Sequence, residues 1–141
     1  MRVYIAGPLF SEAERAWIEG LKQRLQSTPG LEPVWSADEL RAPRLVSEIF
    51  SACKEGLDTS DAMLAILDGS QVDDGTAWEI GYFYALQKGP IIGLRTDFRR
   101  AGELPDSTVN AMIEGACEAI ASDVDDALAE LTRALDERAR A

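Results

Sequence analysis

Ala62-Met63-Leu64-Ala65-Ile66-Leu67 is an unbroken apolar run closed off by Asp68-Gly69. A strand with one wet face would alternate apolar and polar residues. A continuous run of this length, bounded by turn residues, reads as a strand buried on both faces of a parallel sheet. Such strands need crossover connections, so helices are expected on either side. Downstream, Asp68-Gly69-Ser70-Gln71-Val72-Asp73-Asp74-Gly75 is a polar loop. A helix follows from about Thr76 to Gln87, stopped by Gly89-Pro90, and Ile91-Ile92-Gly93-Leu94 is the next strand. Upstream, a helix runs from about Leu45 to Leu57, after an irregular stretch that contains Pro43 and a possible cap at Ser36 with Glu39.

The ends of the chain follow the same alternation. Arg2–Ala6 reads as a short strand ended by Gly7-Pro8, and Ser11 with Glu14 forms an S-x-x-E capping box that opens a helix. Its apolar positions are Ala13, Ala16, Trp17, Gly20, Leu21 and Leu25, and Pro29-Gly30 ends it. Glu32 to Trp35 is a second short strand. After Leu94 a loop from Thr96 to about Ser107 leads to a short helix near residues 110–114 and a possible strand at Glu118-Ala119-Ile120. Ser122 and Asp125 fit the start of a last helix, with Val124, Leu128, Leu131 and Leu135 on one face. Trp17 and Trp78 are expected to be packing residues. The expected architecture is a single-domain, doubly wound α/β sheet of about five parallel strands spanning residues 1–141. In such folds ligands bind outside the carboxyl ends of the strands, which directs attention to Gly7–Ser11, Asp68–Gly75 and Arg95–Arg100.

Composition narrows the chemistry. The chain has 141 residues, 25 acids against 14 bases and a formal charge of -11, with both halves acidic. A nucleic-acid polymer or an anionic membrane is therefore not an expected partner. The one basic cluster, Arg95, Arg99 and Arg100, could still hold a small anion. No run approaches the ~20 apolar residues of a membrane span, and the N-terminus lacks a secretory core, so a cytoplasmic location is expected. Cys53 and Cys117, with no CxxC spacing, read as reduced thiols. There is no histidine at all. Ser-His and Cys-His nucleophile pairs, HExxH zinc sites and imidazole bases are excluded together. No GxGxxG follows the first strand and no GxxxxGK[ST] occurs, which argues against dinucleotide and P-loop chemistry. A flavodoxin-like FMN carrier would need a Ser/Thr-rich loop after the first strand, which is also missing.

Acid–base work is left to carboxylates, tyrosine and lysine. In Asp73-Asp74-Gly75-Thr76-Ala77-Trp78-Glu79-Ile80-Gly81, Glu79 is expected in the first turn of a helix, where the helix dipole favours a charged carboxylate. An ionised carboxylate in a pocket can attack an electrophilic carbon, and Asp73, six residues earlier, could act as the proton donor of a pair. From spacing alone, an ordinary Asp-Asp-Gly turn followed by a helix-start acid explains the pattern as well, and Tyr4 reads as core.

Tyr4-Ile5-Ala6-Gly7-Pro8-Leu9-Phe10, Leu67-Asp68-Gly69, Asp73–Gly81 and Asn110-Ala111-Met112-Ile113 together resemble the nucleoside 2-deoxyribosyltransferase family over roughly residues 3–115. The resemblance implies a flavodoxin-like sheet and cleavage of the N-glycosidic bond of 2′-deoxyribonucleosides. It implies that Glu79 attacks the anomeric carbon and forms a deoxyribosyl ester, which another nucleobase or water resolves with retention. Tyr4 would orient Glu79, and Asp73 would hydrogen-bond or protonate the base. Gly7, Pro8 and Phe10, with Asp68 and Gly75, would lie at the substrate. Asn110 and Met112 would reach a neighbouring subunit's site, which makes the active unit a homodimer or a higher homo-oligomer. No metal and no organic cofactor are implied.

Two departures stand out. Where the family usually has a second aspartate, eight residues before Asp61, this chain has Cys53, and a thiol is a poor replacement as a donor to a ring nitrogen. The acidic C-terminal helix offers no equivalent of the terminal residues that complete the pocket in some transferases. A related group hydrolyses deoxynucleoside 5′-monophosphates with serine and arginine in the first loop. Here that loop is Pro8-Leu9-Phe10-Ser11-Glu12, and Asn110 stands where that group has serine, which favours an uncharged nucleoside. A non-catalytic nucleoside-binding or nucleotide-binding protein of the same fold is the reading from another class.

Overall fold

A computed structural model of the chain describes residues 1–36 and 45–141. Five parallel strands, β1 (Arg2–Ala6), β2 (Glu32–Val34), β3 (Ala62–Ile66), β4 (Ile91–Leu94) and β5 (Ala119–Ala121), form one sheet in the order β2-β1-β3-β4-β5. Helices α1 (Glu12–Gln26), α2 (Val46–Asp58), α3 (Asp74–Leu86), α4 (Ala111–Ala116) and α5 (Val124–Arg140) fill the connections. This is the flavodoxin-like α/β architecture expected from the sequence. Of the expected Ser36–Glu39 cap, Glu39 lies outside the described residues, as does Pro43. Among the described residues, no helix is long and apolar enough to cross a membrane.

The pleat of the strands divides the core in two. Val3, Ile5, Leu64, Ile66, Ile92 and Leu94 face α1 and α5, packing on Ile18, Leu21, Leu25, Leu131 and Ala134. Tyr4, Ala6, Met63, Ala65, Leu67 and Ile91 face the other way, onto Leu57 of α2 and Ile80 and Phe83 of α3. All five residues of β3 are buried, as its apolar run requires. Each large side chain buried in this way stabilises the fold by about 1.5–3 kcal/mol. Alternation along β1 thus places Tyr4 on the α2–α3 face, and this decides where its hydroxyl can reach.

Local signals explain the ends of the helices, with some corrections. Ser11 caps α1 in the expected reciprocal box with Glu14. The buried stripe of α1 is Ile18, Leu21 and Leu25, spaced three and four apart. Trp17 is one residue, or 100°, off that stripe and is 40% exposed. Trp78 is likewise not core. It stacks on Tyr82 at 5.3 Å with Phe50 edge-on, in a surface seam between α2 and α3. The last helix is capped by Asp123, whose carboxylate accepts from Asp126 N–H, rather than by Ser122.

Candidate active site

Strand order reverses between β1 and β3, so the loops leaving their carboxyl ends diverge and open a crevice. The β3–α3 loop runs to Asp73, which caps α3: its Oδ2 accepts from Thr76 N–H at 3.0 Å and from Thr76 Oγ1 at 3.2 Å. Because the helix already starts at Asp74, Glu79 stands in its second turn, not the first turn expected from the sequence. The dipole term fades beyond the first turn, so the state of Glu79 is set by its neighbours instead.

Those neighbours come from three elements, β1, α2 and the β3–α3 loop. Tyr4 Oη on β1 donates to Glu79 Oε1 at 2.8 Å. The Cys53 thiol on α2 and the charge of Asp73 in the loop also act on Glu79, and the Ser36 hydroxyl after β2 acts on Tyr4. Burial pushes the Glu79 carboxyl up to about 7; the Tyr4 bond opposes this, Asp73 adds to it and Cys53 opposes it. Burial first, then the charge of Glu79, carries the Tyr4 hydroxyl far above the ordinary tyrosine value, so it remains a donor at any working pH. α2 can come this close because residue 56 is glycine: a Cβ there would stand 2.7 Å from Tyr4 Cε2.

The result is a carboxyl group in partial retreat from water, aimed by a hydroxyl that does not ionise, with a second carboxylate nearby. Near neutral pH it exchanges readily between its charged and neutral forms. Such a group can form and release a bond to carbon, while its partner handles a proton.

The structure thus brings Tyr4, Asp73 and Glu79 together. The other expected site residues are distributed around them. Gly7 packs against Ile66, and Pro8 lines a cleft with Trp17, Asp68 and Gly69. Phe10 is 72% exposed, but its backbone is held, since Arg15 Nη1 donates to the carbonyls of Leu9 and Phe10 at 3.1 and 2.8 Å. Gly75 sits in the first turn of α3 beside the Asp73 carboxylate. Asp68 faces inward to the protein: both its oxygens accept from Thr96 and Asp97. Asn110 caps α4, its Oδ1 accepting from Met112 N–H at 2.9 Å and its amide donating to Glu103. Met112 is 82% exposed. No hydrogen bond among the described residues joins Asn110 or Met112 to Glu79.

The expected basic cluster dissolves. Arg95 is buried on backbone carbonyls, Arg99 pairs with Asp97, and Arg100 bonds Asp106 and the Pro105 carbonyl. Sequence reading did not find Ser36 or Gly56 as neighbours of Tyr4, because nothing local in the chain marks either one. It noted Cys53 only as a departure. The spacing to Asp61 that located it was nevertheless a usable signal.

Comparison with known proteins gives these elements a context. The family model described as nucleoside 2-deoxyribosyltransferase matches residues 3–114. The chain is 33% identical to the uncharacterized protein UU063 of Ureaplasma parvum, over 84% of this chain and 86% of that one. Among solved structures, the 2-deoxyribosyltransferase of Bacillus psychrosaccharolyticus is 25% identical, covers 89% of each chain and superposes with a TM-score of 0.70. The Clostridium botulinum CMP N-glycosidase BcmB shares the fold, with a TM-score of 0.63 at 22% identity over 94% of this chain and 98% of that one. The matched stretch contains β2, β3 and β4, nearly all of β1, and both loops that flank the Tyr4–Glu79 pair. The chain therefore belongs to the nucleoside 2-deoxyribosyltransferase family.

Proposed function

We propose that the protein cleaves the N-glycosidic bond of 2′-deoxyribonucleosides and passes the deoxyribosyl group to another nucleobase or to water. The carrying observation is the Tyr4–Glu79 contact of 2.8 Å in a setting that lifts Glu79 to about 7. Ionised Glu79 donates an electron pair to C1′ as the C1′–N bond breaks and its electrons leave with the base. Asp73 supplies a hydrogen bond or proton to that base; its Oδ1 makes no hydrogen bond among the described residues. The product is a glutamyl ester. A second base, or water, attacks C1′ from the side the first base left, loses its proton to Asp73 and regenerates the Glu79 carboxylate. Two inversions give net retention. No part of the sequence needed to complete this cycle calls for a metal or cofactor.

Gly7, Pro8 and Phe10 are assigned to the base side of the crevice and Gly75 to the turn that presents Asp73. Asn110 and Met112 are assigned to the sugar side of a second copy's site. Support for self-association comes from a groove of about 640 Å³ between α3 and α4, lined by Ala77, Ile80, Tyr84, Asn110, Met112 and Ile113. A 5′-monophosphate is the less suitable substrate. The N–H groups of Phe10 and Ser11 at the start of α1, a natural phosphate cradle, already donate to Glu14 at 2.9 and 2.7 Å. That internal carboxylate would have to be displaced by a dianion.

The test is incubation with a panel of deoxynucleosides and their 5′-monophosphates, with and without acceptor bases, followed by chromatography and intact-protein mass measurement. Base release and a transient deoxyribosyl mass are expected with deoxynucleosides. Glu79→Gln should lose both, with turnover down by about three to five orders of magnitude. Near wild-type turnover in Glu79→Gln rejects the assignment, and a protein that binds without any base release is a sensor.

A further inference from the structure

The segment between β3 and α3 must deliver Asp73 to Glu79, yet residues 67–73 form no helix or strand. Its far end is held by the Asp73 cap on Thr76, and its near end is tied to the neighbouring β4–α4 loop. Arg95, the first residue after β4, is 4% exposed. Its Nη1 donates to Leu67 O, its Nη2 to Gly69 O at 3.1 Å and to Arg99 O at 2.7 Å. Asp68 answers in the opposite direction, accepting from Thr96 N–H at 2.6 Å, Thr96 Oγ1 at 2.6 Å and Asp97 N–H at 2.9 Å. Gly69, at a φ of 117° that a side chain would strain, turns its N–H onto Asp97 Oδ2 at 3.1 Å. Asp97 is itself fixed by Arg99, whose charge and hydrogen bonds hold its carboxyl well below the usual range.

A buried guanidinium is costly unless its donors are used. Here the acceptors are carbonyls, and no carboxylate pairs with Arg95 among the described residues. Two of these carbonyls belong to the loop that ends in Asp73. A cation spent in this way fixes a backbone path. We propose that Arg95 is a positioning residue for the reaction at Glu79: with Asp68 and Asp97 it clamps the β3–α3 loop so that Asp73 is held against Glu79. The clamp also redefines Asp68, which the sequence resemblance placed at the substrate, as one of its internal acceptors. This inference rests on the reading of Glu79 as the reacting group.

The groups that face Glu79 among the described residues are Tyr4 from β1, Cys53 from α2 and Asp73 from the loop. Only Asp73 among them raises Glu79, so loosening the clamp lets its charge retreat and Glu79 fall toward its ordinary value. A purely structural role would not move that titration.

The experiment follows the Glu79 carboxyl by carbon NMR in glutamate-labelled protein, assigned with Glu79→Gln, alongside kcat, KM and thermal melting. In the wild type the midpoint is expected near 7. Arg95→Met should lower it by about half a unit or more, cut kcat about tenfold and leave KM within about threefold. Arg95→Lys, which keeps the charge but not the fork of donors, should recover part of both. Should Arg95→Met fail to fold, Asp97→Ala removes the bond to Gly69 together with the Arg99 pair, leaves the Arg95 bonds to Leu67 and Gly69 in place, and should give the same shifts at smaller size. A midpoint and a kcat that stay at wild-type values in the folded variants overturn the clamp. A shifted midpoint in a protein that turns over no deoxynucleoside would uphold the clamp and reject the enzymatic reading; normal turnover with an unmoved midpoint would do the reverse.

Discussion

Helix α3 separates two regions that the chain finishes to different degrees. On the side facing β1 and α2, polar groups are paired within the same chain: Tyr4 on Glu79, Thr76 on Asp73, Tyr82 on Asp58. On the side facing α4, Ala77, Ile80, Gly81 and Tyr84 border an open apolar groove, with Met112 standing free at its rim. The first region is preorganised for chemistry without help. The second has the composition of a contact surface awaiting cover. In the proposed reaction this contrast becomes a division of labour, in which one chain makes the nucleophile and a second encloses the sugar.

The most damaging change to the finished side, after loss of Glu79 itself, should be Tyr4→Phe. It deletes one oxygen inside a packed core, so the fold should survive. The Tyr4 hydroxyl favours the ionised form of Glu79, and its removal therefore raises the Glu79 midpoint above the value of about 7. We expect kcat/KM at pH 7 to drop by roughly 10- to 100-fold, with the acidic limb of the pH–rate profile displaced to higher pH. A profile displaced to lower pH would mean that the tyrosine does not hold the carboxylate.

On the unfinished side, Met112→Glu places a charge at the groove without touching the core. If a second copy covers this face, the variant should sediment as a smaller species and lose about tenfold in kcat/KM, with melting of the subunit itself little changed. Wild-type assembly and wild-type activity in this variant would leave α4 with no role in the site.

The sequence disclosed these two sides unequally. Periodicity and turn residues placed the five strands and five helices of the described residues to within a few residues, because an uninterrupted apolar strand such as Ala62–Ile66 leaves few alternatives. The Asp73–Glu79 spacing was also visible. The turn of the helix was not, since the helix begins at Asp74 rather than Thr76 and carries Glu79 two residues deeper, into its second turn. That displacement reverses the electrostatic expectation: a carboxylate kept charged by a helix dipole becomes one partly neutralised by burial. Trp17 and Trp78 show the limit of composition, for a large apolar residue one position off the buried stripe faces water. The Arg95 clamp left no trace in the sequence. Its acceptors on the β3–α3 loop are backbone carbonyls 26 and 28 residues away, and any residue type presents a carbonyl.

The smallest of these effects separates the two regions on stability alone. Burial pushes the Glu79 carboxyl up to about 7 in the folded chain, against 4.5 for an ordinary glutamate. Below about pH 4.5 it is protonated in both states and costs the fold nothing. Between 4.5 and 7 the unfolded chain sheds its proton first, and stability falls as pH rises; above 7 the full penalty of a half-buried charge remains. Glu79→Gln keeps a carbonyl acceptor for Tyr4 and has no charge to bury. It should melt like the wild type near pH 4.5 and gain about 1–3 kcal/mol over it by pH 8, with the gap opening across that interval. Met112→Glu, by contrast, places its carboxylate in water and should show no such dependence in the subunit. A Glu79→Gln advantage that is the same at pH 5 and pH 8 would mean that Glu79 is hydrated in the folded chain, and the finished side of α3 would then be as open as the other.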